Sequence, residues 1–262
     1  MRNLLGIYTI WYRDLLRFWR DKLRLLGSFV FPLLFLVVFG TGLGGRMGQL
    51  GDNVNLTQFM FPGIIGMTVL MSSFMAGVSV VWDREFGFLK EVLVAPINRA
   101  CVAIGKALGA ATIATIQGLI ILVLAPLLQV PVTFLIVLAL IPCMILLSFS
   151  MGSLGIVLAT RIRSMEAFQV VMQLLMFPMA FLSGVFFPLQ GLPTWMDVLV
   201  KINPATYGIA PIRQVMLGEL STSLYTVNLF GHEMTLWNNL LAIALFGVIM
   251  ILLAMWSFSN QE

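Results

Sequence analysis

A helix that crosses a bilayer must be about 20 residues long and mostly apolar, because the hydrocarbon offers its backbone no water to bond. Six stretches of this chain meet that demand, at roughly 25–45, 59–82, 101–125, 132–160, 168–188 and 236–257. Charged residues make up only 10% of the sequence, against roughly 25% in soluble domains. A chain so poor in charge has lipid as its solvent. The pattern predicts an all-α polytopic membrane protein with six transmembrane helices.

The fourth run is long for one crossing and is expected to tilt. Between the third and fourth runs stands only "PLLQVP", bracketed by Pro126 and Pro131, two natural helix stops. Pro32, Pro142 and Pro178 fall inside runs, where a membrane helix accepts a proline as a kink.

Basic residues set the orientation. An even number of crossings puts both termini on one side, and that side collects twelve of the fifteen Lys and Arg residues. The positive-inside rule makes it the cytoplasm. Residues 1–24 lie there as an expected amphipathic interfacial helix. Arg13, Arg17, Arg20 and Arg24 recur at helical spacing toward headgroups, and Trp11 and Trp19 sit on other faces. The remaining 25–262 form the transmembrane domain.

The densest mid-chain charge is "DREFGFLKEVLVAPI", Asp83 to Ile97, between the second and third runs. As a separate surface helix over 83–96 it carries Phe86, Leu89 and Leu93 on one stripe, with Asp83, Arg84, Glu85, Lys90 and Glu91 largely elsewhere. Gly87 is expected to allow a close approach. An apolar ridge with mixed charge suits docking into a groove of a soluble partner. On the opposite side, 190–218 is expected to form short outer helices that re-enter the protein. They contain Leu192, Trp195, Tyr207 and Arg213, and Asn203-Pro204 breaks them in two.

Chemistry is sparse. No phosphate-cradling G-x-x-x-x-G-K-[ST], no G-x-S-x-G and no H-E-x-x-H occurs. Cys101 and Cys143 form no CxxC, and the single His232 has no neighbour with which to share a metal. Neither a catalytic residue nor a metal site is expected, and the net charge of +4 marks a membrane side rather than a nucleic-acid surface. Uphill transport would then draw its energy from another protein. The competing expectation, a self-sufficient secondary carrier or channel, requires ionisable groups near the centres of the spans, where the sequence places none.

Along the spans, Met67, Met71 and Met75 recur every fourth residue, an adaptable apolar stripe. Gln169, Gln173, Phe177 and Phe181 follow one another in the fifth run. Together these are the expected substrate pathway, suited to an apolar or amphipathic molecule. Ser148, Gly152, Gly155 and Ala159 form a small-residue stripe for close helix packing.

From about Arg13 to the end of the sixth run the chain resembles permease subunits of the ABC-2 class of ABC transporters, which export drugs and glycans. The arginine-rich start, "FMFPGIIGMTVLMSS", "DREFGFLKEVLVAPI" and "FLSGVFFPLQGLPTWMDVLVKINPATYGIAPIRQVMLG" carry the resemblance. It implies a cytoplasmic coupling helix from Asp83 to Leu93 and an interfacial helix at the N-terminus that also contacts the ATPase. It implies outer gate helices between Leu192 and Leu217. It further implies separate ABC ATPase subunits, two copies, that hold ATP and Mg, and a second permease as homodimer or heterodimer in the cytoplasmic (inner) membrane. One departure is that Gly208-Ile209-Ala210-Pro211 stands where many relatives place an acidic residue ahead of Arg213.

Overall fold

The computed structural model of the chain describes residues 2–42, 56–87, 98–128, 130–162, 164–187, 189, 191–218, 228–229 and 232–259. Helix α1 is Arg2–Arg20 and α2 is Lys22–Gly42. Then come α3, Leu56–Ser73, and α4, Met75–Glu85. Helix α5 is Arg99–Leu122, α6 is Phe134–Arg161 and α7 is Met165–Leu182. Two short helices follow, α8, Thr194–Ile202, and α9, Pro204–Leu217. The last is α10, Leu236–Ser259. Among the described residues the only strands are a two-residue antiparallel pair, Asn228–Leu229 with His232–Glu233. The chain is an all-α polytopic membrane protein. Five apolar helical stretches among the described residues are long enough to cross a bilayer, the first of them α3 and α4 taken together, and α2 holds residues 25–42 of the first expected run.

Local chemistry fixes several helix starts. Asn98 accepts from the Ala100 amide at 3.0 Å to open α5, and Ser164 accepts from the Ala167 amide at 3.2 Å to open α7. Asn203 does the same for α9 through Ala205 at 3.0 Å, with Pro204 in the first turn. The expected break at Asn203-Pro204 is therefore a corner between two short helices. Asn203 also donates to the Met179 carbonyl at 2.8 Å, tying that corner to α7.

Three boundaries differ from the sequence expectation. The N-terminal helix stops at Arg20, and Asp21 breaks it, so Arg24 belongs to α2 rather than to the interfacial helix. The fifth run stops as a helix at Leu182, short of 188, because Gly184 turns the chain at φ +77°. The second run is not one straight rod. It breaks at Phe74, where the Ser73 hydroxyl donates to the Leu70 carbonyl at 2.7 Å and the Gly77 amide bonds three residues back to Phe74 at 3.0 Å. A serine hydroxyl on a preceding carbonyl, followed by a tightened turn, is an identifiable cause of a helix bend.

Helix α6 is central and touches α3, α4, α5, α9 and α10. Its small-residue stripe receives the bend. A Cβ added at Gly152 would lie 3.3 Å from the Ser73 carbonyl oxygen, and one at Gly155 would lie 3.2 Å from that of Phe74. From the other side, a Cβ at Gly77 would run into the Gly155 carbonyl and the Phe168 ring. Backbone meets backbone at this crossing, which only small residues permit. Ala substituted for Gly77 should thus lower the thermal unfolding midpoint in detergent, by overpacking worth about 1–3 kcal/mol. Gly27→Ala on α2, where an added Cβ meets nothing within 4 Å, should leave the midpoint unchanged or raised.

Candidate functional site: a charged joint at the end of the bent span

Helix α1 lies against α5, and two glycines let it come close. A Cβ at Gly105 would stand 3.0 Å from Ile10, and one at Gly109 would stand 3.4 Å from Asp14. Trp11 seals the contact by donating its indole N–H to the Thr112 hydroxyl at 3.0 Å. Trp11 is thus a packing residue on α5, while Trp19 is exposed. Arg20 points outward.

Between those glycines stands Lys106, with only 1% of its surface exposed. A buried ammonium must be paired and hydrogen-bonded to remain charged. Lys106 Nζ meets Asp83 at 2.6 Å and Asp14 at 3.2 Å, and also donates to the Ser79 hydroxyl. Asp83 is shared, since Arg13 reaches the same Oδ2 at 2.6 Å and Arg17 lies 3.7 Å from Oδ1. Arg13 also meets Asp14 at 3.1 Å. Burial disfavours the Arg13 charge, but Asp14 and Asp83 outweigh it and raise its pKa above the ordinary arginine value. The sequence expectation that Arg13 and Arg17 face headgroups is corrected here. Both turn toward Asp83, whose carboxylate lies within reach of α1 and α5.

The next two residues bind two other helices. Arg84 donates to the Ala159 and Ile162 carbonyls at 3.1 Å each and to Thr160 at 3.4 Å, closing the C-terminus of α6. Glu85 accepts from the Met165 amide at 2.8 Å, at the N-terminus of α7. Each charge sits where the helix dipole favours it, the cation on free carbonyls and the anion on free amides. Arg99 repeats the device by donating to the Ser259 carbonyl of α10 at 3.4 Å.

Asp83, Arg84 and Glu85 are therefore the last turn of α4, not the start of a separate surface helix. Beyond them Phe86 is 79% exposed and stands edge-on to Trp82, ring centres 6.3 Å apart. Gly87 takes φ +75°, and an added Cβ would meet nothing within 4 Å. Its value is the left-handed backbone that turns the chain, rather than the close approach expected from the sequence. Leu89, Lys90, Glu91 and Leu93 lie outside the described residues.

The expected pathway residues do not share one place. Met67 is fully buried in the core, while Met71 and Met75 line a cavity beside Lys106. Gln169 and Gln173 face outward on α7, as do Phe177 and Phe181, each 42% exposed. Phe181 also stacks on Phe186, which reaches Phe35 of α2. At the other end, Arg213 is buried over the Phe59 ring at 4.5 Å and donates to the Val185 carbonyl at 3.3 Å. Tyr207 donates to the Lys201 carbonyl at 2.7 Å. Leu192 is half-buried and Trp195 is 66% exposed. Sequence reasoning missed Asp14 and used Lys106 only as a marker of orientation. The signal available was the Gly105–Gly109 spacing that frames Lys106, a small-xxx-small pattern that foretells a helix pressed against it.

The sequence model of the ABC-2 type transporter family matches residues 6–217. The chain belongs to that family and is a multi-pass membrane transport permease. It is 28% identical to the putative transport permease ycf38 of Cyanophora paradoxa over 89% of this chain and 82% of that one. It is 27% identical to nodulation protein J of Rhizobium leguminosarum bv. viciae, over 80% and 82%. To the inner membrane transport permease YadH of Escherichia coli strain K12 it is 26% identical, over 84% and 86%.

Removing one charge from the joint strands another in a buried site. Asp83→Asn should lower stability by about 3 kcal/mol, seen as a drop in the unfolding midpoint of purified protein. Lys106→Met should do the same. The double variant should recover part of the loss, and strict additivity of the two single losses would show that the pair is not coupled.

Proposed function

We propose that this permease is the membrane subunit of an ATP-driven exporter, and that its partner ABC ATPase docks on the surface beyond Glu85. The observation that carries this reading is the arrangement around Phe86. Three consecutive side chains lock the preceding turn to α1, α5, α6 and α7, and the residue that follows is a large exposed aromatic. An aromatic anchor on a rigid base suits a protein contact. A push delivered there reaches four helices through short polar contacts, in the manner of a rigid-body transition.

ATP and Mg belong on the partner, because this chain carries no phosphate-cradling loop and no catalytic role is assigned to it. Both termini are placed on the ATPase side, in keeping with the basic residues gathered there. Two ATPases and a second permease, identical or not, complete the assembly. The outward face of α7, with Val170 66% and Leu174 73% exposed, supports a permease–permease contact. The substrate is a drug, lipid or other amphipathic molecule, or a glycan, and leaves the cytoplasm.

Phe86→Asp together with Leu89→Asp should weaken co-purification of the ATPase with the tagged chain by about tenfold, equivalent to 1.4 kcal/mol. In Phe86→Asp alone, membrane insertion and the unfolding midpoint should be unchanged, since Phe86 is exposed. Full retention of the ATPase with normal coupled transport in the double variant, or transport in vesicles without ATP, would overturn the reading.

A further inference from the structure

A cavity of about 390 Å³ lies between α5 and the bent α3–α4 span, closed by parts of α1, α2 and α7. All of its walls come from this one chain. Its size falls within the roughly 300–1,000 Å³ that drug-sized ligands occupy. Lys106, Ala110, Ile113 and Gln117 line it at helical spacing along one face of α5. That face runs about 16 Å from the first to the last of them.

The two ends differ in charge. At one end Arg13, Arg17 and Lys106 gather around Asp14 and Asp83. At the other, Thr68 and Gln117 are neutral. Of the three cations Arg17 is held the most loosely. Lys106 and Arg13 each hold a carboxylate oxygen at 2.6 Å, whereas Arg17 stands 3.7 Å from its nearest one. Its side chain is 40% exposed, rests over the Trp82 ring at 4.8 Å and borders the cavity. Between the ends the wall is soft and apolar, with Met71, Met75 and Met176.

We infer that this cavity binds a small amphipathic anion, its acidic group on Arg17 and its apolar body on the three methionines toward Gln117. A cation at the mouth of an apolar pocket, held less tightly than its neighbours, is the group an incoming carboxylate or phosphate can pair with in bidentate fashion. The site is independent of the proposed docking surface, and its occupancy requires neither nucleotide nor ATPase.

The test uses the full chain in nanodiscs of phosphatidylcholine, without nucleotide, and 11-(dansylamino)undecanoic acid as a fluorescent probe beside its methyl ester. The acid should bind saturably and the ester at least about tenfold more weakly, a difference of 1.4 kcal/mol. Arg17→Gln should bring the acid down to the level of the ester. Arg20→Gln, an exposed arginine outside the cavity, should leave binding of the acid intact. Ile113→Trp and Met176→Trp, which fill the cavity from opposite walls, should each abolish binding of both probes. Displacement of the probe by lysophosphatidic acid would point to a lipid source, and displacement by an aromatic carboxylic acid would point to a drug-like one. Equal binding of acid and ester, or full binding by the correctly folded cavity-filling variants, would overturn the inference.

Discussion

The contact on which the rest depends is the buried pair of Lys106 and Asp83, 2.6 Å apart in a bundle that is otherwise apolar. Neither charge is tolerable alone at that depth, so the two helices that carry them must stay in register. Asp14 and Arg13 extend the requirement to α1. A helix whose apolar side could lie anywhere on a membrane surface is fixed in place and rotation by three ionic contacts and two glycines. The remaining charges of that turn follow the same logic with backbone in place of side chains. Arg84 and Glu85 find the free carbonyls of α6 and the free amide of α7 because those helix ends are polar islands in a greasy surface.

Much of the fold was legible because hydrocarbon leaves little choice. A run of about 20 apolar residues has to be largely helical, and the described part of each of the six runs is so, with the second divided at Phe74 and the fifth ending at Leu182. What escaped was rotation and bending. Charge density reads as exposure, which puts Asp83 and Arg84 on the outer face of a surface helix. Which way a charge turns depends on its partners, and Asp14 lies 69 residues before Asp83 in the chain. Met67, Met71 and Met75 have the spacing of one stripe, but the break at Phe74 falls among them, and Met67 ends in the core while the other two face the cavity. The arginines of α1 misled for the same reason, as a helical spacing names a face without saying what that face meets.

The membrane therefore sorts the charges of this permease by position. Those at helix ends, Arg84, Glu85 and Arg99, complete backbone ladders. Those turned into the bundle, Asp14, Asp83 and Lys106, must find each other. Arg213, buried at the far side, rests on an aromatic ring and a carbonyl. Family membership explains none of these placements by itself. They follow from where the chain leaves a polar group and what lies within reach of it.

The bend at Phe74 has a mechanical consequence. The second span is gripped there by the backbone of α6, at a point nearer one end than the other. Eighteen residues of α3 lie on one side and eleven of α4 on the other. Clamped at its bend, the span is an angled crank with arms of about 27 and 16 Å at 1.5 Å per residue. When such a crank turns as one piece about its clamp, the tip of the long arm travels roughly 1.6 times as far as the tip of the short one, where the charged turn sits.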